Sequence, residues 1–85
     1  MDQLTAMRIF AVIAKNRSFK AAAAEISVAL YVVSKHLFYL EKHLGIQLVR
    51  RTTRHVDFTQ LGDLYLEKCR NILKNVDDIE AVIKS

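Results

Sequence analysis

Three arginines and two threonines lie together near the middle of the chain, in the run Arg50, Arg51, Thr52, Thr53 and Arg54. Guanidinium groups bind phosphate oxygens through charge-assisted hydrogen bonds, and arginine is also the side chain that inserts into the minor groove of DNA. A solvated basic loop would have the same composition. The elements around this run therefore have to decide between the two interpretations.

A second set of candidate residues lies on a helix predicted over residues 29–44. The buried side of this helix is indicated by apolar residues at spacings of four, three and four: Val33, Leu37, Leu40 and Leu44. The opposite side carries Leu30, Tyr31, Ser34, Lys35 and Phe38. These positions would face a major groove if the helix reads DNA. His36 belongs to the same helix, either as a contact residue or as a partly buried spacer.

Two shorter helices are predicted before this one. Residues 3–15 have one apolar side, formed by Leu4, Met7, Phe10, Ile13 and Ala14. Ser18 is a suitable N-cap for a second helix, whose inward side would carry Phe19, Ala22, Ala23 and Ile26. Small alanines allow two helices to approach closely, Ser27 and Val28 fall in the turn, and Gly45 ends the third helix. This pattern predicts a helix-turn-helix over residues 18–37.

The segment 46–59 has β-branched and alternating residues around a polar centre, which predicts a short hairpin with strands near residues 47–50 and 55–58. The arginine and threonine run then forms the tip of this hairpin, as a wing that follows the helix-turn-helix. Such a position favours phosphate or minor-groove contact over the solvated loop for Arg50, Arg51 and Arg54.

From about residue 60 to residue 84 the sequence predicts one long helix, capped by Thr59. Apolar residues recur along it at spacings of four, three, four, three and four: Tyr65, Cys69, Ile72, Val76, Ile79 and Ile83. This heptad pattern is typical of a helix that packs against a partner helix, and the same helix of a second copy is the natural partner. We therefore expect a homodimer with these six residues at its interface.

Composition limits the remaining possibilities. The 85 residues contain no proline, two glycines and one cysteine, which favours a single, mostly helical domain without an internal disulfide. The N-terminus lacks the pattern of a signal peptide and no apolar run approaches the roughly 20 residues of a membrane span, so we expect a cytoplasmic protein with no membrane partner. Residues 1–62 carry a net charge of +5 and residues 63–85 a net charge of −1, which places phosphate binding in the first part.

We expect no catalytic, cofactor or metal site. No nucleophile with a base and no carboxylate pair has the spacing that defines an active site. His36, His43 and His55 lack the close ligand spacing of a zinc site, and Cys69 is most simply a small apolar residue, with redox sensing as the other interpretation. The alternative function is a protein–protein dimerisation module that does not read DNA specifically. It would explain the long helix but neither the basic hairpin nor the uneven charge.

Several motifs resemble, in order, the N-terminal domain of LysR-type transcriptional regulators: Met-Arg-Ile-Phe-Ala-Val-Ile-Ala, Ser-Phe-Lys-Ala-Ala, Val-Ser-Lys-His-Leu, Leu-Glu-Lys-His-Leu-Gly-Ile-Gln-Leu, Arg-Thr-Thr-Arg and Phe-Thr-Gln-Leu-Gly. The resemblance implies a mainly α fold, with a winged helix-turn-helix of three helices and a short β-hairpin in residues 1–59 and a linker and dimerisation helix in residues 60–85. It implies a bacterial regulator that binds double-stranded DNA as a homodimer, or as a tetramer in a full-length protein.

The resemblance also implies where contacts lie and what is missing. It places Ser18 at the start of the helix-turn-helix, Ser34, Lys35 and His36 in the recognition helix, and residues 50–54 in the wing. Family members continue into a C-terminal domain that binds a small-molecule co-inducer. The expectation is therefore that this chain is an excised domain and that a co-inducer binds only if such a domain exists outside it.

Departures from the family pattern fall on the exposed side of the third helix. Where the family has a small polar cap, a polar residue and then Ser or Pro, this chain has Ala29, Leu30 and Tyr31. Leu30 would contact a thymine methyl and Tyr31 a phosphate, or both would pack against the first helix. Phe38 and Tyr39 replace polar or basic residues, and they either touch DNA or cover hydrophobic surface.

Overall fold

A computed structural model describes residues 2–51 and 55–85, with the backbone alone described at Arg51. The elements follow one another as α1 (Gln3–Asn16), α2 (Phe19–Glu25), α3 (Leu30–Leu44), β1 (Val49–Arg51), β2 (Val56–Phe58) and α4 (Gln60–Lys84). This architecture of helices with a two-stranded hairpin confirms the predicted fold class. The predicted first, third and fourth helices agree with α1, α3 and α4 to within one residue at each end.

Helix α1 lies at the centre of the molecule and packs against α2, α3 and α4. The Asp2 carboxylate starts it by accepting hydrogen bonds from the Leu4 and Thr5 backbone N–H groups, at 3.3 and 3.2 Å. Its apolar side then enters the core, with these residues buried: Ala6, Met7, Ile9, Phe10, Ile13 and Ala14. The helix ends at Arg17, whose left-handed backbone (φ 54°) turns the chain towards α2.

Helices α2 and α3 form the predicted helix-turn-helix. Ser18 Oγ accepts a hydrogen bond from the Ala21 N–H at 3.1 Å, which confirms the predicted N-cap. Ala22 and Ala23 are buried, so α2 lies close to its neighbours, and the axes of α2 and α3 meet at 111°. The predicted stripe anchors α3 in the core, and Gly45 ends the helix in the left-handed conformation at φ +70°.

The hairpin is antiparallel and shorter than the sequence predicts. Val49 pairs with Phe58, Arg50 with Asp57 and Arg51 with Val56. The first strand starts two residues later than expected because the backbone just before it has other partners. The Leu48 N–H donates to the Glu41 carboxylate at 2.7 Å, while the Gln47 carbonyl accepts from the Thr59 hydroxyl at 2.7 Å.

Helix α4 begins at the predicted cap. Its first half packs on the domain and its second half extends beyond the core. Thr59 Oγ1 accepts a hydrogen bond from the Gly62 N–H at 2.9 Å. The first half of α4 contributes Leu66, Cys69 and Leu73 to the buried residues. From residue 74 onwards only Val76 is even half-buried, so the second half projects from the domain.

No single helix in the described ranges is both long and apolar enough to span a membrane. Taken together, α2 and α3 are long and apolar enough for a span, but the chain bends by 111° between them.

Candidate nucleic-acid interface

The start of α3 presents apolar side chains to solvent. Leu30 is 51% exposed and Tyr31 is 69% exposed, although both precede a well-buried stripe of the same helix. This exposure favours the interpretation in which they contact DNA over the one in which they pack against α1. Their exposure follows from the helix period, because Val33 and Leu37 fix the opposite side of α3 in the core.

Farther along the same side, polar and aromatic residues share the surface. Ser34 is half-buried and Lys35 is exposed, as predicted for this side of the helix. Phe38 is 62% exposed, so it does not cover the core, and the Lys42 ammonium lies 5.8 Å from the centre of its ring. Tyr39 behaves differently, since it packs against the core and stacks on the His43 ring at 5.7 Å.

His36 does not belong to this surface. It lies two residues after Ser34, which is about 200° around an α-helix. Its ring is half-buried, and Nδ1 lies 2.8 Å from the Val32 carbonyl oxygen of the preceding turn. Of the two interpretations of His36, the structure favours the partly buried spacer, because hydrogen bonding to its own helix turns the ring away from the exposed side.

The start of α2 adds a cation that the sequence analysis missed. Lys20 is exposed in the first turn of α2, and no acidic residue lies in that turn. A positive charge at a helix N-terminus is unfavourable for the helix dipole, and therefore suits an anionic partner. The signal was present in the sequence, as a lysine two residues after the cap Ser18.

The junction between α1 and α2 is joined to the hairpin. The Val56 N–H donates to the Arg17 carbonyl at 3.3 Å, and the Arg17 guanidinium lies 5.1 Å from the centre of the Phe58 ring. Phe58 in turn packs on Phe10 of the core at a centroid distance of 5.4 Å. These contacts set the position of the hairpin relative to the helix-turn-helix.

Within the hairpin itself, Arg50 is exposed on β1 and pairs in register with Asp57. Arg51 is the last residue of β1. The other predicted wing residues, Thr52, Thr53 and Arg54, lie outside the described residues, as does the side chain of Arg51.

The predicted interface of the long helix needs a correction. Cys69 is fully buried (0% exposed) within its own chain, and Tyr65 packs against the same core with its ring 5.6 Å from that of Phe10. The assignment of Cys69 to a dimer interface is therefore wrong, because its surface is already covered where the first half of α4 lies on α1. Tyr65 is only half-buried, so its place at the interface stays a prediction.

Burial also changes the ionisation of these two side chains. Desolvation raises the pKa of the Tyr65 hydroxyl to about 12, and the neighbouring Cys69 thiol adds to this effect. Desolvation likewise raises the pKa of Cys69. A thiol that stays protonated is a weak nucleophile, so the interpretation of Cys69 as a small apolar residue is the better one.

A different side of α4 remains open to solvent and apolar. Its exposed residues are Leu61, Leu64, Ile72, Ile79, Val82 and Ile83. Three of the six predicted interface residues, Ile72, Ile79 and Ile83, belong to this set, whereas Val76 is half-buried beside it. Leu61, Leu64 and Val82 are not among the predicted interface residues. They nevertheless lie on one side of the helix, because Leu64 follows Leu61 by three residues and Val82 follows Leu64 by eighteen, which is five full turns.

Among the residues that the structure describes, no three His, Cys, Asp or Glu side chains lie close enough together to hold a metal ion. The surface described above is built from cations, exposed apolar groups and helix N-termini.

Comparisons with known proteins place this surface in context. The model of bacterial regulatory helix-turn-helix proteins of the lysR family matches residues 4–63. An HTH-type transcriptional repressor of Pseudomonas aeruginosa (strain UCBPP-PA14) is 39% identical over 84 residues, which is 99% of this chain and 26% of that protein. The HTH-type transcriptional activator AaeR of Escherichia coli (strain K12) is 33% identical over 79 residues, or 93% of this chain and 26% of AaeR. The chain thus spans about a quarter of the length of these relatives.

Solved structures include complexes with DNA. The crystal structure of a BenM DBD/catB site 1 DNA complex is similar at a TM-score of 0.93 and 32% identity, covering 99% of this chain and 92% of that one. A CbnR DBD–DNA complex is similar at a TM-score of 0.91 and 25% identity, covering 99% of this chain and 95% of that one. With a family model matched over most of its length, the chain belongs to the lysR family of bacterial regulatory helix-turn-helix proteins.

Proposed function

We propose that this chain is the DNA-binding part of a bacterial transcriptional regulator and binds double-stranded DNA with sequence specificity. Helix α3 enters the major groove, and residues 50–54 of the hairpin contact the backbone or the minor groove. The observation that carries this proposal is the exposed side of α3, which holds Leu30, Tyr31 and Lys35 in solvent while the opposite side is anchored in the core. The similarity to two DNA complexes supports it.

Electrostatics supports the same surface. Helix α3 has no acidic residue in its first turn, so its N-terminus keeps its favourable potential for phosphate oxygens. Lys20, Lys35 and Arg50 are all exposed. Because the net charge of +5 belongs to residues 1–62, counterion release should contribute strongly to affinity.

The test is the salt dependence of DNA binding, measured by fluorescence anisotropy with duplexes selected from a random pool. The double variant Arg51→Ala/Arg54→Ala removes two proposed contacts. Each lost phosphate contact should lower the slope of log affinity against log salt by about 0.9. Lys74→Ala/Lys84→Ala is the control matched in charge, because both lysines are exposed cations on α4, paired with Asp78 and Glu80, outside the winged part.

Three outcomes are informative. A parent chain that binds no duplex would contradict the proposed function and favour the dimerisation module. An unchanged slope in the arginine double variant would remove those side chains from the interface. A slope lowered equally by Lys74→Ala/Lys84→Ala would show that the effect reports net charge alone.

We further propose that residues 1–59 form the DNA-binding domain and that residues 60–85 form a helix through which two copies associate. In the second half of α4 from residue 74 onwards, only Val76 is half-buried, and an exposed ion pair between Asp77 and Arg8 of α1 at 3.0 Å ties this half to its own domain. An isolated helix of that length is marginal in water, and an exposed ion pair adds little to its stability. Ile72 is 46% exposed and Ile79 is 58% exposed on its open apolar side. Covering these side chains with the same helix of a second copy stabilises both, and it sets the distance between two recognition helices.

Sedimentation equilibrium tests the association with two variants that introduce the same charge. Ile79→Asp places a carboxylate in the apolar side and should yield a monomer with weakened binding to paired half-sites. Ala81→Asp places it on another side of α4, where Ala81 is also exposed, and should leave the dimer intact. A parent chain that is monomeric at high concentration, or an Ile79→Asp variant that is still dimeric, would contradict this interface.

The family consists of transcription regulators rather than enzymes. We infer that the chain itself has no catalytic activity and acts in the cytoplasm, where bacterial DNA is located. A tetramer and a small-molecule co-inducer belong to the proposal only for a longer protein that carries a C-terminal domain. Turnover of any substrate by the isolated chain would contradict the first inference.

A further inference from the structure

The first turn of α3 is unusually apolar for a surface proposed to read polar base edges. From residue 28 to residue 33 the sequence is Val-Ala-Leu-Tyr-Val-Val, with the Tyr31 hydroxyl as its only polar side-chain group. Val33 is buried, but Leu30 and Tyr31 point to solvent with half or more of their surface exposed. Among the described residues, neither Leu30 nor Tyr31 belongs to the buried core or to the partly buried residues packed against it.

The helix geometry sets the two side chains apart. Consecutive residues of an α-helix are separated by about 100° around the axis and about 1.5 Å along it. Leu30 and Tyr31 therefore project from the same turn of α3, about 100° apart around the helix axis. Lys35 lies one turn beyond Tyr31 on the same side and is exposed, so the apolar pair borders a cation.

The base edges differ in the chemical groups that they present to these two side chains. In the major groove the thymine C5-methyl group is the apolar feature, whereas the other bases present hydrogen-bond donors and acceptors. A leucine side chain placed over one of those polar groups would exclude its water without replacing the hydrogen bond, which costs free energy. An apolar side chain in the major groove thus favours thymine and disfavours the other bases.

We propose that Leu30 and Tyr31 determine sequence specificity by contacting the C5-methyl groups of thymines in each half-site. This inference rests on the proposed insertion of α3 into the major groove. The N-terminal residues of a recognition helix are those that meet base edges, and the adjacent positive charge of Lys35 holds this turn against the phosphate backbone. These two side chains recognise thymine through apolar contact, whereas polar residues at the same positions would recognise a base through hydrogen bonds.

The experiment replaces thymine with deoxyuridine, which removes the methyl group and leaves the hydrogen-bonding edge unchanged. Duplexes are first selected from a random pool with the whole chain, and each thymine of a selected half-site is then replaced in turn. At one or two positions we expect affinity to fall about fourfold, which corresponds to about 0.8 kcal/mol for one apolar carbon. Replacements outside the contacted positions should have no effect.

Variants then assign the methyl contact to its side chain. Leu30→Ala should bind thymine and deoxyuridine duplexes equally well at one of these positions, because the partner of the methyl group is gone. Alanine is a good helix former and position 30 is half-exposed, so circular dichroism should show a folded chain. Tyr31→Phe keeps the apolar ring and should preserve discrimination, whereas Tyr31→Ala should lose it at the second position.

Lys35→Ala is the matched control on the same helix. It should weaken binding to all duplexes and flatten the salt dependence, while the ratio between thymine and deoxyuridine affinities stays as in the parent.

The outcomes separate this inference from the function on which it rests. Salt-dependent binding with no loss on any deoxyuridine replacement, or selected half-sites without thymine, would overturn the inference and leave the proposed function standing. Full discrimination retained in both Leu30→Ala and Tyr31→Ala would also overturn it. A chain that selects no duplex at all would fail the proposed function itself.

Discussion

Replacement of Gly62 by alanine should destabilise this protein, although alanine normally stabilises a helix. Gly62 lies in the first turn of α4 and is buried. A Cβ atom added there would be 2.9 Å from the Leu48 carbonyl carbon, still closer to the carbonyl oxygen, and 3.2 Å from Thr59 Oγ1. The helix and the segment before β1 can lie this close only because position 62 has no side chain.

The size of the effect follows from what the new methyl group would meet. The Leu48 carbonyl is a backbone group held by the Thr59 N–H at 3.0 Å, so it cannot turn aside as a flexible side chain would. Overpacking costs about 1–3 kcal/mol, and a backbone obstacle places this site near the upper end. The higher helix propensity of alanine offsets about 1 kcal/mol of this cost, so the free energy of unfolding should fall by about 2 kcal/mol.

Thermal unfolding followed by circular dichroism measures this loss. For a domain of this size, about 2 kcal/mol lowers Tm by about 8–16 °C. Protein concentration must be the same for all variants, because association changes apparent stability. Gly45→Ala is the control, since nothing lies within 4 Å of a Cβ built there and only its φ of +70° opposes the change, at about 1 kcal/mol. A Gly62→Ala variant as stable as the parent would refute the reasoning from close approach.

Three further predictions concern the described helices. Ala29 starts α3 with an extended backbone (φ −68°, ψ 152°) and makes no side-chain cap hydrogen bond, so Ala29→Ser should raise the free energy of unfolding by about 1 kcal/mol; a lower Tm would contradict this. The buried Tyr65 hydroxyl lies beside the Cys69 thiol and the Gln3 side chain but makes no hydrogen bond of normal length and angle among the described residues, so Tyr65→Phe should leave Tm unchanged or raise it. A clear loss of stability in urea unfolding would contradict this. The pKa values of Tyr65 and Cys69 are raised in the folded chain, so ionisation of either group favours the unfolded chain. The stability that the two protonated groups contribute is therefore complete below the unfolded pKa of Cys, about 8.5, and is lost as pH rises towards 12. In a pH series of urea unfolding, the Cys69→Ala/Tyr65→Phe variant should show a flatter alkaline decline than the parent; an equally steep decline would assign it to other groups.

Much of the fold could be predicted from local sequence because the signals are local. Ser18 caps a helix through its own hydroxyl, Thr59 does the same for α4, and Gly45 accepts the left-handed conformation that ends α3. The apolar spacing of Val33, Leu37 and Leu40 also determined which side of α3 is buried. Each of these inferences needs only the helix period and the chemistry of one or two residues. The order of motifs was then sufficient to indicate the lysR family.

The tertiary structure decided what local signals leave open. Helix α4 carries apolar residues around much of its circumference, so its spacing alone could not tell which of them would face the domain. The packing of α4 on α1 and β2 places Leu66, Cys69 and Leu73 inside and leaves Ile72 and Ile79 in solvent. The short β1 has the same origin, since Glu41 and Thr59, distant in sequence, hold the backbone before it. Burial is a property of which surfaces meet, and that is fixed by the packing of the whole chain rather than by any one segment.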